Sequence, residues 1–285
     1  MISAQIKRSL ELRLKAKVCP KIIVEKCLAI SGGCINNAIK LETNKGDFFA
    51  KYNTNAKLDM FQTEHDGLKI LKDTNAICIP DMIAFENNFL ILEFIPSSNP
   101  AACFWENFGR NLAKMHQQTD EKFGLDFDNY IGSLPQSNTQ YKNWVDFFIQ
   151  NRLLAQLDIG NYSPSVKQDF EKLFEKLPNI FPPDPPSLLH GDLWNGNFLV
   201  KDKETPVLID PAIYFGNREM DIAMCKLFNG FHADFYTSYN EEFPLENDWE
   251  ERINICNLYP LLVHVNLFGG GYLNQVKNIL SYYVG

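Results

Sequence analysis

Ser187 to Val200 reads SLLHGDLWNGNFLV. Leu188-Leu189 and Phe198-Leu199-Val200 read as strand ends, so the polar residues between them form a tight loop held between buried walls. Asp192 lies in that loop, Asn197 follows five residues later, and Asp210 ends the next apolar run, Val207-Leu208-Ile209. Phosphoryl transfer needs a carboxylate near the attacking hydroxyl and further hard oxygen ligands for magnesium. Two aspartates and an asparagine in this order supply them. Taken singly, each is as easily a turn or strand-end residue; the ordered trio favours the chemical reading.

Upstream, Lys26 to Asn53 alternates apolar runs with turns, and Asn44-Lys45-Gly46-Asp47 is a hairpin signal, because Asn and Gly tolerate positive φ. Three strands, a helix over Leu58 to Leu71, and strands near Met82–Phe85 and Phe89–Phe94 make a small five-stranded antiparallel sheet with one helix. Lys51 ends the third strand, and thirteen residues on, Glu64 falls on the apolar stripe of its helix with Phe61, Leu68 and Leu71. An ammonium and a carboxylate held off the solvated face need partners. Their pairing would set Lys51 against nucleotide phosphates. The turn Ser31-Gly32-Gly33-Cys34-Ile35-Asn36 lets backbone approach an anion, although Gly-Gly turns are common in hairpins.

Ile95 to Pro100, IPSSNP, reads as a linker. Helical patterns dominate beyond it, over Cys103–Gln118, Tyr141–Asp158, Ser163–Leu177, Glu219–Asn229 and Glu250–Phe268. The expected architecture is therefore α+β and bilobal, with a β-rich N-terminal lobe over residues 1–95 and a larger, mainly helical C-terminal lobe over 96–285.

The formal net charge of -8 argues against a nucleic-acid backbone or an anionic membrane as partner. Neither a long apolar run nor a signal peptide is visible, and a charged helix opens the chain, so a cytoplasmic protein is expected. Seven cysteines are scattered without CxxC spacing, which suggests neither a zinc site nor a disulfide framework.

HGDLWNGN resembles the signature of the fructosamine kinase family, a branch of the aminoglycoside-phosphotransferase and protein-kinase-like fold. GGCIN, FFAKYN, EHDGL, FGLDFDNYIGSLPQSN, WVDFFIQNRLLAQLD, IDPAIYFGNREMDIAM and LFGGGY resemble its other blocks in the same order. The resemblance implies ATP-dependent phosphorylation of a ketosamine hydroxyl, typically O3, on a small or protein-bound acceptor, in the service of deglycation. It implies Asp192 as the catalytic base, Asn197 and Asp210 as Mg2+ ligands, and Lys51 with Glu64 as the phosphate-gripping pair. The turn from Gly32 through Gly33, Cys34, Ile35 and Asn36 would face the nucleotide, and the backbone of Glu93, Phe94 and Ile95 would bond adenine. His190 and Asp221 would support the loop, and Trp194 would either stack on the acceptor or pack in the core. A monomer or weak homodimer is expected.

Asn195 and Asn217 depart from the family pattern and leave acceptor choice open. DPA stands where protein kinases have D-F-G, and no activation segment follows. Cys34 is either a packed residue or a reactive thiol. A kinase of the same fold for an aminoglycoside, choline or another sugar is the alternative, although Trp194 and the Phe123–Gln136 block point away from it. A pseudokinase scaffold is disfavoured by the presence of Lys51, Asp192 and Asp210.

Overall fold

The structure, a computed structural model, describes residues 2–30 and 35–285. Two compact units make it up: Met1–Phe104 with Phe198–Asp210, and Trp105–Asn197 with Pro211–Gly285.

In the first unit, β1 (Val24–Ile30), β2 (Asn37–Thr43), β3 (Gly46–Tyr52), β4 (Met82–Glu86) and β5 (Phe89–Glu93) form an antiparallel sheet in the order β1-β2-β3-β5-β4. Gly46 takes a φ of +103° at the β2–β3 turn, a conformation that glycine adopts without strain. Helix α1 (Ala4–Lys17) is the charged helix that opens the chain. It buries Ile6, Leu10 and Leu14 in one cluster with Leu41, Ala50, Phe89 and Ile91 of the sheet. Side chains alternate along a strand, so Lys51 points to the face opposite Ala50. Helix α2 (Met60–Asp73), with Phe61, Leu68 and Leu71 buried, meets it there through Glu64. Two helices therefore dress the sheet where one was expected.

The segment read as a linker is hydrogen-bonded within the first unit. Ser98 N donates to Val200 O over 2.9 Å and Ala101 N to Lys203 O over 2.8 Å, while Leu208 N donates to Cys78 O over 3.0 Å. These bonds fasten the hairpin Phe198–Lys201/Thr205–Leu208 to the first unit although most of its sequence neighbours lie in the second. Pairing with distant strands was invisible to a reading of local pattern.

The second unit is mainly helical. Its core gathers Phe170, Leu173 and Leu177 of Pro164–Ile180, Ile255, Leu258 and Leu262 of Trp249–Phe268, and Val276 and Leu280 of Tyr272–Val284. The helix expected over Tyr141–Asp158 is three segments, Trp144–Phe147, a π-helical stretch Phe148–Leu154, and Ala155–Ile159. Helices Ala233–Glu242 and Tyr272–Val284 and the small hairpin Asn129–Ile131/Leu134–Gln136 were not foreseen, the hairpin because each of its strands has only three residues. No described helix is long and apolar enough to cross a membrane.

Candidate active site

In the first unit Lys51 is 7% exposed and its Nζ stands 2.8 Å from Glu64 Oε1. The same ammonium bonds Asp210 Oδ1. The strand and the α2 stripe that suggested the Lys51–Glu64 pair thus produce it, while the third member, 159 residues away in sequence, was not read as a partner. Burial alone would depress the lysine's pKa, but Asp210 and Glu64 outweigh it and hold the value above that of ordinary lysine. Burial raises Glu64, against the pull of Lys51, and the second carboxylate adds to that rise. Asp210 adopts φ +59°, an αL conformation sparsely used by residues other than glycine, immediately before Pro211.

Of the expected nucleotide contacts, Gly32, Gly33 and Cys34 lie outside the described residues. Asn53 Nδ2 donates to Asn36 Oδ1 over 3.1 Å and to Ile35 O over 3.4 Å, which ties the following turn to the end of β3. Glu93 N–H donates to Asp81 O over 2.8 Å. That bond commits the Glu93 donor to the sheet. Ile95 is buried, and the Lys40 ammonium lies 4.9 Å above the Phe94 ring.

In the second unit the loop is suspended from one buried carboxylate. Asp221, 1% exposed, accepts His190 N–H at 2.7 Å on Oδ2 and Gly191 N–H at 2.9 Å on Oδ1. His116, fully buried, contacts Asp221 Oδ2 through Nε2 at 3.2 Å and Tyr239 OH through Nδ1 at 2.8 Å. Burial pushes Asp221 up, but His116, His190 and the Gly191 N–H reverse that and leave its pKa below the ordinary value. His190 is wholly buried, its Nδ1 accepts Asp192 N–H at 3.2 Å, and its carbonyl accepts Ala212 N–H at 2.9 Å. Gly191 has φ +80°, and a Cβ there would lie 2.1 Å from Ala212 O, so both conformation and space demand glycine.

Asn197 Nδ2 donates to Asp192 O at 2.7 Å and to Asp192 Oδ2 at 2.9 Å, which fixes the carboxylate and leaves Asn197 Oδ1 as that amide's acceptor atom. Trp194 is half-buried, with Phe228 edge-on at 6.1 Å. Asn195 reaches Phe228 O and Gly230 O at 3.4 and 3.3 Å. Asn217 accepts Glu219 N–H at 2.8 Å and starts the helix that carries Asp221. Both departures from the family pattern have local backbone roles.

A small cavity opens beside the loop, lined by Asp192, Gly191, Asp221, Tyr214, Tyr259, Met220, Met224 and His264 among others. Burial lowers the His264 pKa, so the imidazole is neutral, and its Nδ1 lies 2.7 Å from Pro260 O. His116, Tyr239, Tyr259 and His264 carried no local motif that would have singled them out. Among the described residues no group of three or more His, Cys, Asp or Glu forms a metal cage.

The sequence profile of the family described as fructosamine kinase matches residues 7–284. A chloroplastic protein-ribulosamine 3-kinase of Oryza sativa subsp. indica is 37% identical over 90% of this chain and 78% of its own length. A crystal structure from Thermobifida fusca, provisionally named a fructosamine-3-kinase, is 31% identical, covers 96% of this chain and 97% of its own, and superposes with a TM-score of 0.87. An ADP-bound aminoglycoside phosphotransferase is only 14% identical but covers 99% of this chain and 98% of its own at a TM-score of 0.68, a likeness of fold.

Proposed function

Because the chain belongs to the fructosamine kinase family, we propose that it transfers the γ-phosphoryl group of ATP to O3 of a ketosamine, small or protein-bound, and so serves deglycation in the cytoplasm. The observation that carries this reading is the setting of Asp192, fixed by Asn197 beside a small cavity on a loop anchored to Asp221.

In this reading the Asp192 carboxylate orients the acceptor hydroxyl and takes its proton as the new O–P bond forms and the bond to the β-phosphate oxygen breaks, releasing ADP. Lys51 grips the phosphates and Glu64 holds Lys51 in place. We assign the nucleotide to the sheet unit, with Gly32, Gly33, Cys34, Ile35, Asn36 and the backbone of Glu93, Phe94 and Ile95 as its partners. The acceptor goes to the helical unit, where half-buried Trp194 offers a ring face to a cationic amine. For magnesium we assign two donors, Asn197 Oδ1 and the Asp210 carboxylate. Both are hard oxygens, and with no cage among the described residues the remaining positions would fall to phosphate and water. Bound there, the ion would neutralise charge on the phosphates.

An ATP-consumption screen across fructosamines, ribulosamines, unmodified sugars, aminoglycosides and choline tests the proposal. Turnover confined to ketosamines is expected; turnover of aminoglycosides or choline with none of any ketosamine would overturn it.

A further inference from the structure

The block around Asn129, Gln136 and Asn138 distinguishes the sequence without any of its members having a chemical role so far. In the structure these three amides are 5%, 1% and 0% exposed and make one continuous network. It begins at Arg152, fully buried in the π-helical stretch, whose guanidinium stacks 3.9 Å from the Tyr214 ring and 5.4 Å from that of Tyr259. Arg152 donates to Ser137 O at 2.7 Å and to Asn138 Oδ1 at 2.8 Å. A buried cation held by neutral acceptors and rings alone is costly unless its place is fixed.

The direction of every bond that follows is determined. Gln136 Nε2 faces Ala212 O at 3.0 Å, and Asn129 Nδ2 faces Ile213 O at 2.8 Å. Backbone carbonyls only accept, so both amide orientations are set. Asn129 Oδ1 then accepts from Gln136 Nε2 at 2.7 Å and from Asn138 Nδ2 at 3.1 Å. Gln136 Oε1 is left for the Tyr259 hydroxyl, 2.6 Å away. Tyr259 must donate there. Its single proton is spent, and what the phenol oxygen has left is lone-pair capacity.

Tyr259 lines the same cavity as Asp192, and burial keeps its pKa well above that of an ordinary tyrosine, so it remains a neutral phenol. The geometry points to Tyr259 as a specificity-determining residue: with its proton committed to Gln136, it presents an acceptor to the cavity and receives a hydrogen bond from a hydroxyl of the sugar other than the one phosphorylated. This rests on the reading of the cavity as the acceptor site. Gln136, Asn129, Asn138 and Arg152 are positioning residues that set the polarity of Tyr259. An acceptor with an ether or carbonyl at that place meets a lone pair and is rejected.

The experiment compares wild type with Tyr259→Phe on single-deoxy analogues of whichever acceptor wild type phosphorylates. Loss of one neutral hydrogen bond should raise the acceptor KM about 3- to 10-fold in the variant, with kcat and the KM for ATP little changed. One deoxy analogue should suffer the same penalty in wild type and none further in Tyr259→Phe. An unchanged acceptor KM, or equal penalties for every analogue in both enzymes, would overturn the assignment. Absence of any ketosamine turnover in wild type would count against the proposed substrate instead. In Gln136→Met the phenol regains its proton as a donor, so an analogue methylated on that hydroxyl, rejected by wild type, should now be accepted; continued rejection also overturns the assignment. If that variant does not fold, the Tyr259→Phe series decides.

Discussion

In the sheet unit, the Lys51 ammonium lies between the carboxyl groups of Glu64 and Asp210. In the helical unit, the loop bearing Asp192 hangs on backbone N–H groups directed at Asp221, and the cavity wall beyond it is fixed by neutral amides. Ion pairs are rearranged when another anion arrives, because the attraction is undirected. Backbone bonds into a buried carboxylate are directional and keep one geometry. On the proposed assignment of nucleotide to the sheet unit and acceptor to the helical one, the nucleotide side is built to exchange partners and the acceptor side to stay fixed.

Two substitutions test that contrast most severely. Asp192→Asn removes the proposed proton acceptor but keeps a side chain that can still face Asn197, so kcat should fall by about 10² to 10⁴. The melting temperature and nucleotide affinity should stay near wild type. A comparable loss of ATP affinity, read by calorimetry, would mean that the two units do not divide the work in this way. Lys51→Met should act in the opposite sense and cost stability as well as activity. It leaves two carboxylates beside each other with no cation, a loss of about 3 kcal/mol, at the low end for a broken buried pair because Asp210 is 38% exposed and partly screened by water. Adding Glu64→Leu should restore most of that stability and none of the activity, as followed by urea unfolding and by turnover.

The same contrast governs what could be read in the sequence. Lys51 and Glu64 were legible because a strand and the apolar stripe of a neighbouring helix are local patterns. HGDLWNGN was legible because its polar residues sit between two apolar runs. The third partner of Lys51, the docking of IPSSNP onto the Phe198–Leu208 hairpin, and the path from Arg152 to Tyr259 all join segments far apart in the chain. Periodicity carries no information on such pairings. Arg218 and Glu219 belong to the same class: they face Asp184 at 3.1 Å and Arg252 at 2.6 and 2.7 Å, contacts that brace the Asp221 helix.

Acid and alkali should separate the two devices. The Asp221 pKa is lowered in the fold, so its contribution is present above the unfolded aspartate value of about 3.9 and disappears as pH falls through the folded one. Glu64 is raised, takes up its proton earlier, and does not add to that acid loss. The Lys51 pKa is raised, so its contribution holds below the unfolded lysine value of about 10.4 and fades as pH climbs toward the folded one. Urea midpoints recorded from acid to alkali should show a descent below pH about 4 that Asp221→Asn flattens, and an alkaline descent that the same variant leaves alone. An unchanged acid descent in Asp221→Asn would remove this carboxylate as its source.

The smallest effect belongs to the far end of the loop's support. Tyr239 OH lies 2.8 Å from His116 Nδ1, and His116 in turn contacts Asp221, so Tyr239 is two side chains away from the loop backbone. Tyr239→Phe deletes the hydroxyl's bonds to His116 and Arg218 and should cost about 1–2 kcal/mol, or roughly 2–3 °C in melting temperature for a chain of this size. If fixity on the acceptor side comes from the two N–H bonds into Asp221, kcat and the acceptor KM of Tyr239→Phe should match wild type once the protein is folded. If orientation is passed along the side chains, kcat should fall while both KM values hold, and restoring a hydroxyl at the same place should bring it back. The first result is expected, because both Asp221 oxygens already have backbone donors at 2.7 and 2.9 Å that do not depend on the tyrosine.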